Sequence, residues 1–128
     1  MTLRYINTDL DLVSDGDLAV LAGDFEARGL ISLHVERGSD RLWRARFETK
    51  ADPLTPEQTI GAMLGIVENA SAAMLRDWER CAFREFNIGF DSGRAPRVIE
   101  QGLSNDLLRR IADVGARIGI TIYATEMT

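Results

Sequence analysis

Asn7, Asp9 and Asp11 stand two apart near the start of the chain, and Glu85, Asn87 and Asp91 stand at even spacing much later. Side chains two apart on a strand share a face at about 6.5–7 Å, and a cross-strand partner is closer, at about 5 Å. If the two stretches are neighbouring strands, their carboxylates and amides form one acidic patch. Carboxylates that close repel one another, so something must offset them. A hard divalent cation with oxygen ligands could do so. So could a basic partner surface, or a carboxyl held protonated as a general acid, with Asp9 or Glu85 as the acid–base residue of a small hydrolase or isomerase. The plainer solution is a solvated sheet face laced by ion pairs to Arg44, Arg46 and Arg84. No metal-ligand spacing such as a calcium-binding loop accompanies the patch, so neither a metal nor a cofactor is expected. The candidate ligand or partner surface is therefore Asn7, Asp9, Asp11, Arg44, Arg46, Glu85, Asn87 and Asp91.

A second candidate is Arg94 with Arg97, in the irregular stretch from Ser92 to Leu103. They precede a helix start at Ser104, and the free N–H groups of a helix N-terminus favour anions. A carboxylate or phosphate could sit among them, although no glycine-rich phosphate pattern is present and loop arginines are usually solvated. Cys81 and His34 are the only residues of their kinds. A nucleophilic pair would need them to meet. Cys81 is expected at the buried end of a long helix and His34 on the polar side of a distant strand, which makes an inert thiol and a surface imidazole. With one histidine and one cysteine, a zinc site would be mostly carboxylate, which is uncommon.

The elements that must position these residues follow from periodicity. A first strand over about Leu3–Val13 alternates Ile6, Leu10 and Leu12 with Tyr5, Asn7, Asp9 and Asp11. Ser14, with Asp17 three residues on, reads as the start of a helix through Leu18, Leu21, Ala22 and Phe25 that Gly29 ends. Ile31, Leu33 and Val35 alternate with Ser32, His34 and Glu36, and Gly38-Ser39-Asp40 joins them to a third strand over Arg41–Lys50. After a link at Ala51–Leu54, Thr55-Pro56-Glu57-Gln58 caps a helix. Its apolar stripe runs from Ile60 to Trp78, over about six turns.

Cys81–Gly93 then puts Phe86, Ile88 and Phe90 on one face and Glu85, Asn87 and Asp91 on the other. Arg84 falls on the Phe86 side and must reach solvent at the sheet edge or be re-aimed by a bulge. Ser104 caps a last helix with Leu107, Leu108, Ile111, Val114 and Ile118 inward. Gly119 ends it before a strand with Ile120, Ile122 and Ala124 on one side and Thr121 and Tyr123 on the other. The order β-α-β-β-α-β-α-β predicts an α+β domain over residues 1–128. It is a ferredoxin-like β-α-β-β-α-β core with an added α-β unit, a mainly antiparallel sheet with helices on one face. In that topology the first and fourth strands are neighbours.

At 128 residues the chain can bury a core without staples. A formal charge of -5 and a pI near 4.9 argue against nucleic-acid binding, which needs a clustered basic surface. The lone cysteine suits a reducing compartment, and MTLRYINTDLDL lacks a basic region followed by an apolar run, so a cytoplasmic protein without a secretory signal is expected. Its most apolar stretch, Ile60–Leu75, is too short to span a bilayer, which takes roughly 20 residues.

The opener INTDLDL, the strand REFNIGFDSG and the ending LLRRIADVGARIGITIY together resemble a family of small bacterial domains of unknown function, the domain-of-unknown-function 4279 type. The likeness runs from about Asn7 to Tyr123 and implies one α+β domain; it brings no activity, cofactor or catalytic residue. The expected function is a non-enzymatic cytoplasmic interaction module. It would form a homodimer through an open polar sheet face that carries Tyr5, Phe83 and Tyr123. A carboxylate-dependent enzyme and an immunity-type protein that binds a basic partner are the alternatives.

Overall fold

A computed structural model describes residues 4–50, 55–93 and 98–124. The link at 51–54 and Arg94, Pro96 and Arg97 lie outside the described residues. The elements, in chain order, are β1 (Arg4–Ser14), α1 (Ala19–Ala27), β2 (Leu30–Arg37), β3 (Trp43–Thr49), α2 (Pro56–Glu68), α3 (Ala72–Arg80), β4 (Phe83–Asp91), α4 (Asn105–Asp113) and β5 (Arg117–Tyr123). The fold is α+β. Its five strands form one sheet in the order β2-β3-β1-β4-β5, antiparallel except for the parallel β4–β5 pair. β1 and β4 are neighbours, as the two acidic stretches require.

Alternation in the strands decides which face is dry. Leu10, Leu12, Ala45, Phe47, Phe86 and Ile88 turn to the helices and are buried against Phe25, Ile60, Leu64 and Trp78. A buried side chain of this size is worth about 1.5–3 kcal/mol relative to exposure, so this layer carries most of the fold's stability. Trp78 also donates its indole N–H to the Val114 carbonyl at 2.8 Å, which ties α3 to the end of α4.

Two bulges break the expected alternation. Between Tyr5 and Asn7 the register with β4 shifts, leaving Ile6 as the extra residue. Tyr5 therefore leaves the polar face: its ring meets Phe90 edge-on at 5.9 Å, and its hydroxyl bonds Thr8 and Thr59. Between Ser32 and His34 the β2–β3 register shifts in the same way. Ser32 lies opposite the core residue Phe47, while Ile31 lies opposite Glu48, so Ile31 belongs to the open face rather than the core.

Local chemistry moves four element ends. Ser14 finishes β1 instead of capping α1; its hydroxyl accepts from Gly16 N–H, and the Asp17 carboxylate accepts from Ala19 N–H. Arg41 belongs to the β2–β3 turn, in the left-handed region at φ 66°, and β3 begins at Trp43. The long helix is two helices. Asn69 ends α2, its side-chain amide donating to the Gly65 carbonyl, and Ser71 caps α3 by accepting from Met74 N–H. Gly115, at φ 73°, follows the end of α4, so Ile118 and Gly119 are strand residues. Thr55, Ser104 and Gly29 act as the sequence predicts.

Candidate functional site

The open face of the sheet is built in transverse rows, because directly paired residues on neighbouring strands share a face. One row crosses all five strands: His34 opposite Arg46, Arg46 opposite Asp11, Asp11 opposite Glu85, and Glu85 opposite Arg117. Beside it, Asp9 lies opposite Asn87 and Asn87 opposite Gly119. On the other side Val13 lies between Arg44 and Phe83. The strand twist dishes this surface into a concavity of about 450 Å³. Asp9, Asp11, Glu85 and Arg46 line it together with His34, Phe83, Thr121 and Tyr123.

Two ion pairs take most of the charge. Arg46 Nε donates to Asp11 Oδ1 at 2.6 Å, and Arg117 Nε lies 3.1 Å from Glu85 Oε2. Asn87 donates to Glu85 Oε1 at 3.0 Å and accepts from the Thr121 hydroxyl at 2.9 Å. This Arg117–Glu85–Asn87–Thr121 network lies over Gly119, where a Cβ would come 2.6 Å from the Glu85 carboxyl. Glycine is what lets Glu85 fold flat onto the sheet with only 11% of its side chain exposed. At Gly89 a Cβ would stand 3.5 Å from the Tyr123 ring, an ordinary van der Waals contact, so glycine is not required there.

Asp9 is different. Its side chain is 24% exposed, and its nearest cation, Arg46, is 4.0 Å away and turned to Asp11. Burial raises its pKa above the ordinary 3.8; the Arg46 charge opposes this, while Asp11 and Glu48 add to it. Among the carboxylates that line the concavity it is the one with the least compensation. Arg46 is held protonated above its ordinary value, chiefly by the hydrogen bond to Asp11.

The other predicted site residues are placed apart. Arg44 lies on the open face but turns to Asp40 in the hairpin at 2.7 Å, so it does not compensate β1 or β4. This pair holds the Asp40 carboxyl down at about 2. Asp91 pairs with Arg4 at 3.1 Å toward the end of the sheet, and Asn7 donates to Glu48 at 2.9 Å.

Arg84 neither leaves by the edge nor joins Glu85. It stays on the helix side and donates to the carbonyls of Trp78, Glu79, Cys81 and Gly115, capping the ends of α3 and α4 at once. Cys81 is buried and burial pushes its thiol up to about 11, while His34 sits on the far face of an outer strand. The two do not meet. Among the described residues no group of three or more His, Cys, Asp or Glu side chains is arranged to hold a metal ion. Arg94 and Arg97 lie outside the described residues.

Arg117 and Thr121 are the functional-face residues that the sequence reading misses. A helix that runs from Ser104 through Ile118 would take in Arg117, but α4 stops at Asp113, and Gly115 is a better helix terminator than Gly119. Among the described residues no helix is long and apolar enough to cross a membrane. Comparison with family models, curated proteins and solved structures finds no match for this chain.

Proposed function

We propose that this protein is a non-catalytic binding module, working in the cytoplasm, whose functional surface is the open face of the sheet. The observation that carries this reading is the 450 Å³ concavity with Asp9 on its wall. Its volume is in the range of small-molecule sites, about 300–1,000 Å³. The surrounding carboxylates are already neutralised by Arg46 and Arg117, so Asp9 is the acceptor left for a cationic or hydrogen-bond-donating group. Phe83 offers a ring face nearby; Arg117 stacks over it at 5.4 Å, an arrangement that a ligand's cation could share. A concave face with its charges paired internally suits a small guest better than the flat face of a second copy. Kinship with the 4279-type bacterial domains rests on the three quoted motifs and assigns no ligand.

Native mass spectrometry of gently purified protein tests the reading. The expected result is one small adduct per chain, retained by the wild type and lost from Asp9→Asn and Arg46→Ala. Bare chains throughout would sink it. A doubled mass abolished by Phe83→Asp would place a second copy on the face, and a basic protein carried along would favour a partner-neutralising role.

Asp9 also supports a second reading, as the general acid of a small enzyme, because its environment favours the protonated form. Glu85 does not share this support, since Arg117 and Asn87 occupy both its oxygens. Titration of the Asp9 carboxyl by NMR decides: a midpoint near neutrality favours catalysis, and one in the ordinary carboxylate range removes it.

A further inference from the structure

The strand order leaves β2 and β5 as the two edges of the sheet, and the two edges differ in kind. β2 carries a bulge at Leu33 and the charged residues Glu36 and Arg37, devices that discourage pairing with another chain. β5 has neither. From Ile118 to Tyr123 it holds no charge and no proline, and its pairing with β4 is regular. Ile120 and Ile122 lie opposite the core-facing Ile88 and Phe90, on the helix side, yet each is 65% exposed. Ile118, earlier in the strand, packs against the core.

Main-chain direction alternates along a strand. The Tyr123 carbonyl accepts from Ser92 N–H at 2.8 Å and so points toward β4. Ile118, Ile120 and Ile122 therefore turn their N–H and C=O groups outward, on the same residues whose side chains are apolar. The midpoint of the strand is Ile120.

We propose that β5 pairs antiparallel with β5 of a second copy about a two-fold axis at Ile120, which continues the sheet across both chains. This register sets Ile120 against itself and Ile118 against Ile122 of the other copy, each as a hydrogen-bonded pair. It matches every outward main-chain group of the strand. It also stacks the isoleucines of both copies on the helix side, where Ile120 and Ile122 stand exposed among the described residues. On the open face it brings Arg117 opposite the second copy's Tyr123, a cation beside a ring. The contact is isologous, so it closes at two chains rather than propagating. Both concavities stay open, and the proposal is independent of what occupies them.

Sedimentation and cross-linking test it. The 14.2 kDa chain is expected at twice its mass. Ile120→Lys should return it to single-chain mass with unchanged circular dichroism, because the side chain it replaces is solvent-exposed. Phe83→Asp, on the open face, should leave the dimer intact. Ile120→Cys should be joined 120–120 by a short thiol-specific cross-linker, since a hydrogen-bonded antiparallel pair sets the Cα atoms about 5.5 Å apart. Val20→Cys, equally exposed on α1, should not, and Cys81 is buried away from the reaction. A wild type that sediments as one chain, a dimer that survives Ile120→Lys, or an Ile120→Cys protein that stays unlinked would each overturn the proposal.

Discussion

Asp9 shows how one residue can be set against the stability of its own fold. Its folded-state pKa is raised, so between the ordinary value of 3.8 and that raised value the folded protein binds more protons than the unfolded chain. Stability from this group therefore falls as pH rises through the window and stays reduced above it. Asp9→Asn removes the ionisation, and it is expected to stabilise the protein at neutral pH, with the gain vanishing as pH drops below 3.8. Urea unfolding midpoints of the two proteins at pH 7 and at acid pH check this. A neutral-pH loss on substitution would mean that Arg46 compensates Asp9 after all. A carboxylate kept at a cost to stability, beside one that Arg46 fully engages, fits a residue retained for binding.

At the scale of elements, Arg84 is the joint of the helical layer. The helix ends left by α3 and α4 expose carbonyls without intrahelical partners. One guanidinium on β4 reaches both ends, with Nη1 on the Trp78 carbonyl at 2.9 Å and Nε on the Gly115 carbonyl at 2.9 Å. It also lies 5.9 Å from the Trp78 ring. Arg84→Met keeps the stem and removes the donors, so it should destabilise by about 1.5–3 kcal/mol, the range for losing hydrogen bonds to a charged group. Denaturant unfolding measures the change. Arg84→Lys should recover only part of it, because an ammonium cannot span two helix ends as the planar fork does. Strict alternation correctly puts Arg84 on the helix side of β4. What periodicity lacks is the position of the helix ends, which only packing brings to that spot.

For the whole molecule, the sheet order sets a gradient of protection. β1 and β4 are flanked on both sides, whereas β2 and β5 are edges. Hydrogen exchange should be slowest in the paired amides of β1 and β4 and fastest at the edges. The outward amides of Ile118, Ile120 and Ile122 are the exception: if β5 pairs with its copy, their protection should rise with protein concentration while that of β2 does not. Protection of β5 that is independent of concentration would count against the paired edge.

Much of this architecture is written locally. Alternation along β1, β3 and β4, the capping hydroxyls of Thr55 and Ser104 and the left-handed Gly29 act over a few residues, so the sequence by itself determined the α+β class and the acidic character of one sheet face. The sequence also held the signals at Ser71 and Gly115, but a continuous apolar stripe and the later Gly119 outweighed them in a reading without tertiary contacts. The bulges at Ile6 and Leu33 carry no glycine or proline to announce them. They exist because distant strands must meet in register, and they send Tyr5 inward and Ile31 outward. Only the tertiary structure decided that Arg46 and Arg117, rather than Arg44 and Arg84, neutralise the acidic face, and that β5 ends the sheet with Ile120 and Ile122 uncovered. Ion pairing and edge exposure depend on which strands lie side by side, a long-range outcome that no local pattern contains.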